Sequence, residues 1–131
     1  MSSAALGRHL SSSNRTIAIS GCHPAWDTTG RGTVEILTST DGTAIAYQQT
    51  GTGPSLILVV GAFCDRSSTA PLTPLLAPHF SVYEYDRRGR GSSGDSDDYS
   101  IDCEIDDLAA LIDAAGGSAL VYGHSSGAAL A

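Results

Sequence analysis

Residues 55–61 read Ser-Leu-Ile-Leu-Val-Val-Gly, an unbroken apolar run set directly behind the breaker Gly51-Thr52-Gly53-Pro54. A strand that is apolar on both faces cannot lie against water on either, so it implies a sheet flanked by helices. At five residues, Leu56 to Val60 is as long as any apolar run in the chain. A membrane span needs roughly 18, so no membrane association is expected.

The segments around this run alternate in type. Upstream, Val34, Ile36 and Thr38 alternate with Glu35 and Leu37, Asp41-Gly42 supplies a hairpin turn, and Ala44 to Gln49 reads as the return strand. Downstream, Pro71, Pro74 and Pro78 leave room only for a short or irregular helix over residues 65–78. Phe80 to Tyr85 is the next strand. An acidic loop (Asp95, Asp97, Asp98) precedes a helix with Ser100 as N-cap. Ile101, Ile105, Leu108 and Ile112 form its apolar stripe, with Asp102, Asp106 and Asp113 toward solvent. Gly116-Gly117 ends that helix, and Ser118 to Tyr122 is another buried strand. Strand, helix, strand, helix, strand is the order of an α/β fold with a parallel sheet.

Composition narrows the function classes. The 131 residues suit one domain or part of a larger one, with 41% hydrophobic and 16% charged residues. Fourteen acidic residues against seven arginines give a net charge of −7, which leaves no basic surface for phosphates and excludes general nucleic-acid binding. Cys22, Cys64 and Cys103 are isolated and form no CxxC pair, so neither a metal site nor a disulfide framework is expected. Idle thiols fit a reducing, cytoplasmic compartment. Residues 1–32 are rich in Ser, Thr and Gly, hold His23 and Trp26, and lack the apolar core of a secretory signal. They read as a disordered or non-native tail, with the folded domain over residues 33–131.

Directly after the last strand stands Gly123-His124-Ser125-Ser126-Gly127, a GxSxG string followed by the small residues Ala128, Ala129, Leu130 and Ala131. A strand that turns sharply into a helix forces its apex residue into a strained conformation and lifts that side chain clear of the sheet. The flanking glycines let neighbouring backbone pass without a Cβ. With VVGAF at 59–63, YDRRGRGSSG at 85–94 and YGHSSG at 122–127 in this order and spacing, the stretch from Thr33 to Ala131 resembles the N-terminal half of an α/β-hydrolase.

The resemblance implies an α/β-hydrolase-type, mostly parallel sheet with flanking helices, incomplete, holding strands one to five plus the nucleophile elbow. It implies Ser125 as nucleophile and the backbone N–H of Ser126 as one oxyanion donor. The backbone N–H of Ala62 is the expected second donor, with Phe63 the lesser choice. The family usually has His before the glycine at 61, and here Val60 stands there. Asp86, Arg87, Gly89, Gly91 and Gly94 match a turn that is mainly structural in the family.

The family's triad continues with an acid and then a His, both after the nucleophile. Ala131 is six residues past Ser125, and neither group lies between them. His124 points the wrong way to be a base, and His79 is expected far from the elbow. The function expected is therefore a serine hydrolase of ester, amide, lactone or related bonds in a small-molecule substrate, needing no cofactor and no metal. Alone, this chain is expected to be truncated and inactive, and to self-associate through an exposed edge strand. The alternative is an inactive fragment or pseudoenzyme serving as a partner-binding half-domain. Gly89 to Gly94 also spells G-x-G-x-x-G, but Asp95, Asp97 and Asp98 would repel a pyrophosphate, and the string reads as a turn. Cys64 reads as a packed thiol rather than a nucleophile.

Overall fold

The computed structural model describes residues 32–131. The tail expected over residues 1–32, with Cys22, His23 and Trp26, lies outside the described residues except for Gly32. Five strands form one sheet: β1 (Val34–Thr38), β2 (Ala44–Thr50), β3 (Ser55–Val59), β4 (Ser81–Tyr85) and β5 (Leu120–Gly123), in the spatial order β1-β2-β4-β3-β5. β2 runs antiparallel to both of its neighbours, β1 and β4, whereas β3 runs parallel to both β4 and β5. This is the incomplete, mixed and mostly parallel sheet that the resemblance implies, with one long helix and short helical turns beside it.

Each turn has a visible cause. Thr43 donates its amide to the Asp41 side chain at 2.9 Å, and Gly42 takes φ +87°, a conformation that suits glycine in a tight hairpin. Between β3 and β4 the prolines limit helix to a 3-10 turn at Arg66–Thr69 and the four-residue α1 (Thr73–Leu76). Between β4 and β5 lies the long helix α2 (Ile101–Ala114), whose amide at Cys103 is capped by the Ser100 hydroxyl at 3.2 Å.

The apolar run at β3 is buried on both faces, as its composition requires. Ile57 and Val59 pack with Ile45, Tyr85, Leu108 and Leu111 beneath α2. Leu56 and Leu58 face the other way and pack with Val82 beside Leu76, Ala77 and Phe80.

The apolar stripe of α2 needs correction. Ile101 and Ile105 are exposed, and the buried positions are Glu104, Asp107, Leu108 and Leu111. The inward face of the helix carries Glu104 and Asp107 because two buried arginines, Arg87 and Arg88, stand just after β4, and buried guanidinium groups require carboxylate partners. Asp102, Asp106 and Asp113 are solvent-facing, as expected. β5 is an edge strand of the described sheet: Val121 packs on the core, while Leu120 and Tyr122 are about half exposed. On β1, Leu37 packs inward and Val34 and Ile36 are exposed. No helix among the described residues is long and apolar enough to cross a membrane.

Candidate active site

The end of β5 runs into a 3-10 turn at Ser125–Ala129, and the residue at the junction is Ser125. Among the described residues it is the only non-glycine with positive φ, at +56°. Left-handed backbone costs a serine about 1–2 kcal/mol, so surrounding contacts must hold it there.

Those contacts come from the glycines and the backbone of β3. A Cβ on Gly123 would stand 2.5 Å from the Ala128 Cα, and one on Gly127 would stand 2.7 Å from the Val60 carbonyl oxygen. His124 donates its amide to the Val59 carbonyl at 3.0 Å, continuing the ladder one residue past β5. Gly127 then donates to the His124 carbonyl at 2.9 Å, which closes the turn and leaves Ser125 exposed at its apex.

The loop after β3 lies beside this apex. A Cβ built on Gly61 would stand 3.5 Å from the Ser125 Cβ and 3.8 Å from its Oγ, so Gly61 faces the serine side chain directly. Carbonyls along this loop are held in turn. Val60 accepts from Arg87 Nη1 at 3.2 Å, Gly61 from the Cys64 amide at 3.1 Å, and Ala62 from Arg90 Nε at 2.6 Å. In a trans peptide the N–H points away from the C=O of the same plane. Fixing the Gly61 carbonyl therefore fixes the direction of the Ala62 N–H.

Two ion pairs brace the site from α2. Arg87 meets Glu104 through Nε at 2.5 Å and Nη2 at 2.7 Å, and Tyr99 donates its hydroxyl to the same carboxylate. Arg88 meets Asp107 at 2.8 and 2.7 Å and Asp41 at 2.8 Å, tying α2 to the β1–β2 hairpin. Burial pushes the Glu104 carboxyl up, but hydrogen bonds from Arg87 and Tyr99 outweigh it, and the group is held below its ordinary value. The fully buried Asp86 carboxylate accepts from the Arg66 amide at 2.8 Å and the Ser92 amide at 2.9 Å, and Gly91 is packed against it with φ +49°.

The structure thus brings Ser125 beside Gly61, and links Ser126 to the Val60 carbonyl through Arg87. His79 sits at the opposite end of the sheet, where β3 and β4 begin; the register pairs Ser55 with Ser81 there and Val59 with Gly123 near the serine. His124 and Cys64 both line a 190 Å³ cavity with Thr69, Leu72 and Tyr122. The G-x-G-x-x-G string is a turn folded onto the Asp86 and Asp95 carboxylates, and α2 begins only at Ile101. Among the described residues no group of three or more His, Cys, Asp or Glu is placed to hold a metal ion.

The Arg87–Glu104 pair is the feature that sequence reading missed. Its signal was the acidic spacing Glu104, Asp107 opposite Arg87-Arg88, which the isoleucine stripe of the same helix obscured.

Comparison with known proteins bears on this geometry. A family model described as the alpha/beta hydrolase family matches residues 56–131. No curated protein matches. Among solved structures, the chain is similar to an alpha/beta hydrolase from Sphaerobacter thermophilus, with 56% identity and a TM-score of 0.72 over 73% of this chain and 37% of that one. It is also similar to an esterase from a Rhodococcus species, with 27% identity and a TM-score of 0.70 over 74% of this chain and 38% of that one. An epoxide hydrolase from an endophytic Streptomyces shares 28% identity, with a TM-score of 0.71 over 76% of this chain and 31% of the other. The chain therefore spans less than two fifths of the length of these relatives. With the sheet order, the serine at the strand–turn junction and the match over 56–131 all in agreement, the chain belongs to the α/β-hydrolase family.

Proposed function

We propose that residues 33–131 are the N-terminal half of a serine hydrolase that cleaves an ester, amide, lactone or related acyl bond in a small-molecule substrate. The observation that carries this reading is Ser125 itself, exposed at φ +56° on the β5 junction with Gly61 opposite its side chain. A serine is held in left-handed backbone at a cost, and the position gives its hydroxyl open access to a ligand.

In the proposed reaction Ser125 Oγ attacks the carbonyl carbon while its proton passes to a histidine base. The negative charge that develops on the carbonyl oxygen is met by the N–H groups of Ser126 and Ala62. Collapse of the tetrahedral species breaks the acyl bond, and the leaving alcohol or amine takes the proton back. Water then hydrolyses the acyl ester at Ser125 by the same steps. The acid and histidine come, in this reading, from sequence beyond Ala131, and a cytoplasmic setting with no cofactor suits the chemistry.

The test has two stages. The gene is first read past the codon for Ala131 for a further acid and histidine. The full-length protein is then treated with a fluorophosphonate probe, expecting labelling that Ser125→Ala abolishes. A folded full-length protein that the probe leaves unlabelled sinks the reading.

One observation favours a second reading, in which the chain is a non-catalytic, partner-binding half-domain. β5 ends the sheet with Leu120 and Tyr122 about half exposed. An apolar strand edge is a surface for pairing with another chain or a second copy. Absence of a triad in the complete reading frame, with stable association of the 131 residues, favours this reading over the first.

A further inference from the structure

The arginine at position 87 reaches two places at once. Its Nε and Nη2 are held by Glu104, and its remaining terminal nitrogen, Nη1, donates to the Val60 carbonyl at 3.2 Å and to the Ser126 hydroxyl at 3.1 Å. Val60 precedes Gly61-Ala62, and Ser126 follows Ser125. One nitrogen therefore spans the two backbone segments whose N–H groups form the oxyanion site in the serine-hydrolase reading.

We propose that Arg87, clamped by the buried carboxylate of Glu104, is a positioning residue that sets the separation of the Ala62 and Ser126 amides. This inference rests on the serine-hydrolase reading. The argument is geometric. Both segments leave neighbouring strands, β3 and β5, at the same end, where the strand ladder no longer ties them together. The guanidinium is a planar fork with five donors, so its fit to Glu104 fixes the aim of Nη1. Tyr99 donates its hydroxyl to Glu104 Oε1, the same oxygen that accepts from Arg87 Nη2, and so adds a second hold on the carboxylate. Lysine offers a point charge on a flexible stem and cannot bridge both acceptors while filling the carboxylate fork.

An oxyanion donor works only where the oxygen of the transition state will sit, so loosening two amides by a fraction of an ångström lowers turnover more than ground-state binding. A purely structural role for the pair would instead change stability and leave the rate per folded molecule untouched.

The test uses the full-length protein with p-nitrophenyl acetate as probe substrate, following kcat, KM and thermal unfolding together. Arg87→Lys is expected to lower kcat about 10- to 100-fold with KM within about twofold. The double variant Arg87→Met with Glu104→Met removes both charges, so no unpaired ion remains buried and the fold is retained. It is expected to unfold near the wild-type temperature and still show the lowered kcat. Ser126→Ala keeps the backbone amide and removes one of the two acceptors, and a smaller loss of about three- to tenfold is expected.

Wild-type kcat in the folded double variant overturns the proposal. If both Arg87 variants unfold, wild-type kcat in Ser126→Ala overturns it. The two readings separate cleanly: wild-type protein labelled by fluorophosphonate at Ser125, with unaltered rates in these variants, defeats the positioning role alone. Wild-type protein that is never labelled defeats both.

Discussion

On one face of the sheet, the 14-residue α2 closes over Ile57, Val59 and Tyr85, and adds two buried arginine–carboxylate pairs. On the other, the four-residue α1 meets Leu56, Leu58 and Val82, and an apolar groove stays open between Leu72, Leu76, Phe80 and Tyr122. The same strand, β3, is the floor of both. The two faces of one strand are thus covered differently, by a long helix with buried ion pairs on one side and by a single helical turn on the other. The closed face is also the one from which Arg87 reaches the Ser125 turn, so the candidate site hangs from the better-packed half.

The comparison can be broken most forcefully at the ion pairs. Asp107→Ala leaves the buried Arg88 with Asp41, a solvent-exposed partner, and is expected to cost about 3 kcal/mol in urea unfolding. A cost below about 1 kcal/mol would mean that the pairs orient α2 without stabilising it. A matched pair of truncations sharpens the contrast next. Leu111 and Leu58 are both essentially fully buried, yet on opposite faces. Leu111→Ala is expected to cost about 3 kcal/mol and Leu58→Ala about 2, since the open groove lets the second site relax. Equal costs would erase the distinction between the faces.

Acidity probes the closed face with a gentler hand. Glu104 is held below its ordinary value of 4.5, so the folded state binds its proton less readily than the unfolded one. Its contribution is complete above that value and is lost as pH falls through the lower folded value. Glu104→Gln should flatten this acid limb in pH-dependent thermal melts, and an unchanged limb would assign it to other carboxylates. The smallest effect on stability belongs to the open side. Leu120→Lys, at a half-exposed edge position, should shift unfolding by under about 0.5 kcal/mol. It should nevertheless lower self-association of the 131-residue chain in analytical ultracentrifugation. A monomeric unsubstituted chain removes the edge from consideration.

What the sequence made legible follows from how local each cause is. The run at Leu56–Val59 announces a doubly covered strand because its composition leaves no polar face. Gly123 and Gly127 announce the turn around Ser125 because backbone stands where their side chains would be. The cap at Ser100 and the stop at Gly116-Gly117, with φ of +107° and +85°, are likewise written within a few residues. The rotation of α2 was hidden, because hydrophobic periodicity gives a buried carboxylate no weight. Glu104 faces inward only because Arg87 lies opposite it in the fold. The link from Arg87 to Ser126 joins residues 39 positions apart, and no local pattern encodes it.

The backbone at Ser125 also bears on how such a chain drifts under mutation. Glycine would adopt φ +56° without strain, so a sequence under pressure only to fold gains by losing this side chain. A population of such chains released from any demand on the hydroxyl should accumulate glycine or asparagine at this position early. A serine sitting there is thus a small thermodynamic concession, and its replacement among descendants would date the moment at which any demand on the hydroxyl ended.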